Sequence, residues 1–123
     1  MSEKILVVDD VPGILKLAER VLEPEGYQIE TANSGEEALE KLKEEGVDLA
    51  LIDVFMPNMD GLELIKKIRE DLEKKDLKIG LLTIADPREV EEEDMENLDI
   101  MEFIQKPFNN EDLRNKVKRM SEK

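Results

Sequence analysis

The chain alternates five times between a short apolar run and a longer stretch in which apolar residues return every three or four positions. Residues 5–8 (Ile5-Leu6-Val7-Val8) are aliphatic without interruption, as in a strand covered on both faces. That run ends on Asp9-Asp10, and Val11-Pro12-Gly13 turns the chain into a helical pattern of Ile14, Leu15, Ala18, Val21 and Leu22. Pro12 suits a first helical turn, and Pro24 with Gly26 stops the helix. Residues 27–31 alternate apolar and polar, as a half-exposed edge strand does. Ser34-Gly35-Glu36-Glu37 has the capping-box spacing and opens a helix that turns Ala38, Leu39 and Leu42 inward and ends near Gly46.

The second half repeats the scheme. Residues 49–52 form a third, continuous apolar strand that runs into Asp53, and the turn-forming Pro57-Asn58-Met59-Asp60-Gly61 follows. A helix begins near Gly61 with Leu62, Ile65, Ile68 and Leu72 on one face. Residues 79–83 make a fourth buried strand that ends on Thr83. Asp86-Pro87 starts an acid-rich helix reaching about Asn97, with only Val90, Met95 and Leu98 to bury. Residues 101–105 read as a second edge strand, closed by Lys106-Pro107-Phe108. Asn109 or Asn110 caps a last helix with Leu113, Val117 and Met120 on its inner face.

Strict β-α alternation specifies a parallel sheet with helices on both faces, and right-handed crossovers leave few topologies. The order 2-1-3-4-5 puts the two edge-like strands, the second and fifth, at the edges and the three apolar ones inside. The 123 residues suffice for one domain and are too few for two, so a single unit over 1–123 without an output domain is expected.

Composition narrows the chemistry. There is no Cys and no His, which removes disulfides, thiolate and imidazole metal sites and His-based acid-base catalysis. The net charge of −14 argues against direct nucleic-acid binding. No apolar run approaches the ~18 residues of a membrane span. No targeting segment is evident, and a cytoplasmic location is expected.

In the order 2-1-3-4-5 the first and third strands are neighbours. Asp9, Asp10 and Asp53 therefore converge at one edge of the sheet, where open α/β folds bind ligands. Thr83 and Lys106 join them from the ends of the fourth and fifth strands. Taken singly, a strand-end Asp is more often a turn or cap residue, Thr83 a plain strand former and Lys106 a solvated surface cation. Their joint placement is what points to a site. Two bare carboxylates ~4 Å apart repel by roughly 4 kcal/mol at an effective dielectric of 20, so the cluster needs a proton, a Lys or a divalent cation. An all-oxygen donor set selects a hard ion such as Mg²⁺.

The sequence resembles the receiver domains of two-component response regulators. The resemblance is carried by Val7-Val8-Asp9-Asp10, Leu51-Ile52-Asp53, Met56-Pro57-Asn58-Met59-Asp60-Gly61, Leu82-Thr83 and Phe103-Ile104-Gln105-Lys106-Pro107-Phe108, in family order. It implies a doubly wound (βα)5, flavodoxin-like fold. It implies that Asp53 accepts a phosphoryl group from a histidine kinase or phosphotransfer protein. Asp9, Asp10, Asp53 and the backbone carbonyl of Phe55 would hold Mg²⁺. Thr83 and Lys106 would contact the phosphoryl oxygens. Phe103 would follow Thr83 inward and remodel the surface of the fourth helix, fifth strand and last helix for a downstream protein. The Lys106-Pro107 bond would be cis. Such a protein is a regulator, at most catalysing its own phosphoryl transfer and hydrolysis.

Two residues depart from the family pattern: Ile84 after the switch hydroxyl and Phe55 two past the acceptor, and both are expected to screen Asp53 from water. Phe55 also stands where a haloacid-dehalogenase-type hydrolase needs a second Asp, and the first turn lacks the glycines of a nucleotide-binding loop. The remaining alternative is a receiver-like adaptor that is not phosphorylated.

Overall fold

Gln28–Ala32 (β2) and Ile100–Gln105 (β5) are the two edges of a five-stranded parallel sheet, the positions expected for the two polar-interrupted runs. The computed structural model describes residues 3–44, 46–83 and 96–122. Between the edges lie Lys4–Val8 (β1), Leu49–Asp53 (β3) and Lys78–Thr83 (β4), in the order β2-β1-β3-β4-β5. Four α-helices are seen among the described residues: Pro12–Leu22 (α1), Gly35–Glu44 (α2), Gly61–Glu70 (α3) and Asn110–Ser121 (α4). Most of the helix expected over 86–97 lies outside the described residues; Glu96 and Asn97 are helical and lead into the Leu98–Asp99 turn.

The central strands read as solid apolar runs because both of their faces are covered. Leu6, Val8, Ala50, Ile52 and Leu81 pack with α2 and α3 on one side of the sheet. Ile5, Val7, Leu49, Leu51 and Leu82 pack with α1 and α4 on the other. Ser34 caps α2 as its motif predicts, its Oγ accepting from Glu37 N–H at 3.1 Å. The Glu37 carboxylate reaches back to Asn33 N–H at 2.9 Å. Asn109, of the two expected candidates, caps α4.

The inner face of α3 differs from the expected one. Leu64, Ile65 and Ile68 are fully buried, Leu62 is only partly so, and Leu72 falls beyond the helix end. The stripe continues through Arg69, whose side chain is also buried. Its guanidinium donates to five backbone carbonyls: Lys74 (2.7 Å), Lys75 (3.3 Å), Leu77 (2.8 Å), Leu98 (3.0 Å) and Asp99 (3.0 Å). Burial pulls its pKa down, and the charges of Asp99 and Asp76 act against that. A hydropathy pattern excludes arginine from a core face, and only the folded loops supply the carbonyls that admit it.

The chain leaves α3 through Glu73, whose φ of 54° is left-handed. Lys74 N–H then reaches back to the Ile68 carbonyl at 3.2 Å. An L-residue other than Asn or Asp pays roughly 1–2 kcal/mol in this conformation. Glu73→Gly is therefore expected to raise stability by about 0.5–1 kcal/mol, the remainder being lost to glycine's unfolded-state entropy. Urea denaturation checks this, and an unchanged midpoint would mean that the turn relaxes around Glu73.

Candidate functional site

The parallel register brings Asp9, just past β1, and Asp53, the last residue of β3, to one edge of the sheet. Their carboxylates and that of Asp10 each offer an oxygen within 4.8 Å of the others. Asp9 is 0% and Asp53 4% exposed, while Asp10 faces solvent. The carboxylate of Asp9 is fixed from its own loop by Val11 N–H, at 2.9 Å from Oδ1. Asp53 Oδ1 accepts more weakly from Phe55 N–H at 3.4 Å.

Lys106 enters from the edge strand. Its backbone N–H donates to the Thr83 carbonyl at 2.7 Å, which ties the end of β5 to the end of β4. Its Nζ lies 2.5 Å from Asp9 Oδ2 and 3.6 Å from Asp53 Oδ1. The Lys106-Pro107 bond is cis, as the resemblance implies. Thr83 is fully buried at the end of β4. Phe103 packs, partly buried, on the α3 side of the sheet, and its carbonyl accepts from Lys116 Nζ at 2.9 Å.

One ammonium does not balance three acids. Burial, and then the charge of Asp9, push the Asp53 carboxyl up from 3.8 to about 6 against the pull of Lys106. A hard cation would relieve the same repulsion, and carboxylate oxygens spaced this closely, one of them open to solvent, fit Mg²⁺. The donor set holds no nitrogen or sulfur to favour a softer metal.

Phe55 leaves 56% of its surface in solvent, and Ile84 lies outside the described residues. Two residues that position the site escaped the sequence pattern. Gly61 starts α3 directly against the Asp53 backbone, and its N–H donates to the Val54 carbonyl at 2.8 Å. Arg69 holds the turn that feeds β5. A glycine beside Asp60 reads as ordinary turn chemistry, and nothing in its neighbours marks the close approach.

The family model described as the response regulator receiver domain matches residues 5–118. The chain belongs to this family. It is 38% identical over 118 residues to the Bacillus subtilis alkaline phosphatase synthesis transcriptional regulatory protein PhoP, an alignment covering 96% of this chain and 48% of that protein. The receiver thus spans about half the length of that curated relative. Over 119 residues it is 34% identical to Bacillus subtilis sporulation initiation phosphotransferase F, covering 97% of this chain and 94% of the relative. Among solved structures, response regulator protein TrrA from Thermotoga maritima, in complex with Mg(2+)-BeF, superposes with a TM-score of 0.82 at 42% identity. That match covers 96% of this receiver and 98% of TrrA. Receiver domains are signalling regulators of two-component systems. No helix among the described residues is long and apolar enough to cross a membrane.

Proposed function

We propose that Asp53 accepts a phosphoryl group from the phosphohistidine of a histidine kinase or phosphotransfer protein. The convergence of Asp9, Asp10, Asp53 and Lys106 at one sheet edge carries this reading. The contacts of Asp53 to Phe55 N–H and Lys106 both fall on Oδ1, which favours Oδ2 as the oxygen that forms the new bond. As the O–P bond forms, the N–P bond of the donor breaks and the imidazole leaves with the electron pair.

Phosphoryl transfer asks the protein for position and charge compensation. Asp9, Asp10, Asp53 and the Phe55 carbonyl would hold Mg²⁺, which neutralises charge on the transferring oxygens. Lys106 Nζ, already at the cluster, exchanges a carboxylate contact for a phosphoryl oxygen, and the Thr83 hydroxyl binds another. Movement of Thr83 opens space for Phe103, and the surface around β5 and α4 changes for a protein target. The acidic surface favours a basic protein face over nucleic acid as that target.

The test is incubation with acetyl phosphate and Mg²⁺, read by intact mass, beside Asp53→Asn. One phosphoryl adduct is expected on the parent and none on the variant. An adduct that survives in the variant would move the acceptor elsewhere. No adduct from acetyl phosphate or from a phosphorylated kinase would leave a protein-binding adaptor.

A further inference from the structure

β5 carries a residue too many for its partner. Ile79 pairs with Ile100, but the next residue, Gly80, pairs with Glu102, so Met101 is extra. This is a β-bulge, in which two residues oppose one. Its effect on sidedness can be followed residue by residue. Ile100 lies on the α3 side of the sheet and Met101 on the α4 side. Glu102 pairs with Arg119 of α4 at 3.1 Å, which places it on the α4 side as well. Beyond the bulge the alternation resumes in shifted phase, with Phe103 on the α3 side and Ile104 on the α4 side. An unbulged strand would pair Phe103 with Leu82 and turn it to the opposite face.

An edge strand has one ladder to hold its register, so an extra residue can travel along it unless both ends are fixed. The site end is fixed by Lys106 N–H on the Thr83 carbonyl. The far end is the Leu98–Asp99 turn, where Asp99 sits at φ 52° immediately before β5. Arg69 holds both carbonyls of that turn and joins them to the Lys74, Lys75 and Leu77 carbonyls that lead into β4. The single Arg119–Glu102 pair, whose Arg119 end is exposed, adds little to this hold.

We propose that Arg69 is a positioning residue for the switch strand: its clip holds the bulge at Met101, and so fixes which face Phe103 occupies and where Lys106 ends. The functional part of this inference rests on Asp53 being the acceptor; the register part does not. The acids that would bind the metal sit just past β1 and at the end of β3, away from the five carbonyls that Arg69 holds. Loosening it should therefore separate two quantities that a general loss of stability would move together. A misplacement of ~1 Å in a reacting group can cost about 100-fold in rate.

The experiment compares the parent with Arg69→Lys, which keeps the charge but lacks the five-donor fork. Amide NMR of the unphosphorylated protein reads the Leu81–Phe103 cross-strand pair, Mg²⁺ titration reads the acids, and acetyl phosphate with Mg²⁺ reads the transfer rate. In Arg69→Lys the single Leu81–Phe103 pairing should be lost or split. The rate should fall by about tenfold while Mg²⁺ affinity changes by less than about twofold. Deleting Met101 removes the bulge and lets Glu102 and Phe103 keep their partners, so in the Arg69→Lys background it should restore pairing and rate. An Arg69→Lys protein with parental pairing and rate overturns the proposal. So does a joint fall in rate and affinity that the deletion fails to reverse. Should Arg69→Lys not fold, the double variant decides: folded with the Leu81–Phe103 pair supports the proposal, unfolded overturns it. A parent that never takes up phosphate sinks the functional reading, and the NMR result still settles the register.

Discussion

Gly61→Ala is expected to destabilise the protein by about 3 kcal/mol or more, and to abolish phosphoryl acceptance at ordinary temperatures. A Cβ at position 61 would overlap the Asp53 carbonyl oxygen and lie 2.9 Å from both the Asp53 carbonyl carbon and Val54 Cα. All three are backbone atoms of the strand end, so no side chain can rotate away to make room. Either α3 retreats from β3 or the Asp53 peptide itself shifts. Retreat would break the Gly61 N–H bond to the Val54 carbonyl and expose Leu64 and Ile65. The comparison is Asp60→Ala, which removes only the cap that accepts from Glu63 N–H at 2.8 Å and should cost about 1 kcal/mol. Equal urea midpoints for the two variants would show that the close approach is not what holds α3 in place.

Asp53→Asn should act in the opposite direction, stabilising the protein in chelator at neutral pH. Burial and Asp9 raise the folded carboxyl from 3.8 to about 6. An acid with a raised folded pKa is harder to ionise in the native state than in the unfolded one. It costs nothing below the unfolded value, and its cost grows between pH 3.8 and about 6 and is complete above that. At 1.36 kcal/mol per pH unit the full cost is about 3 kcal/mol. Asn removes that charge while Lys106 keeps its contact with Asp9. The difference in unfolding free energy between Asn and parent should therefore rise across this window by up to about 3 kcal/mol. A difference that is flat with pH would mean that Lys106 already compensates Asp53 fully. Mg²⁺ narrows the gap from the other side: at a hundredfold excess over its Kd a bound ion stabilises by about 2.7 kcal/mol, and the parent should gain more than the variant.

Much of the fold was legible because each strand type leaves its own mark. Two runs broken by polar residues and three solid ones were enough to choose the sheet order, and strand ends then brought Asp9, Asp10, Asp53, Thr83 and Lys106 to one edge. What stayed hidden depended on contacts rather than on pattern. Arg69 belongs to the inner face of α3 only because five carbonyls from two loops surround it. The bulge at Met101 is invisible in a run this short, since an apolar residue fits either face. Gly61 carries the requirement of a backbone approach that neither its neighbours nor its helix discloses.

The site is divided between parts of the sheet that differ in how readily they open. Asp9 follows and Asp53 ends a central strand flanked on both sides and buried on both faces, whereas Lys106 follows an edge strand held by one ladder. Local opening starts at such edges, well below the free energy of global unfolding. Native-state hydrogen exchange should then find the β5 amides released in a step that leaves β1 and β3 protected. In that partly open form the acids remain assembled and can still hold a cation, while the ammonium proposed to complete phosphoryl transfer is gone. Warming or mild denaturant would accordingly silence the proposed transfer before it costs the acids their hold on a cation.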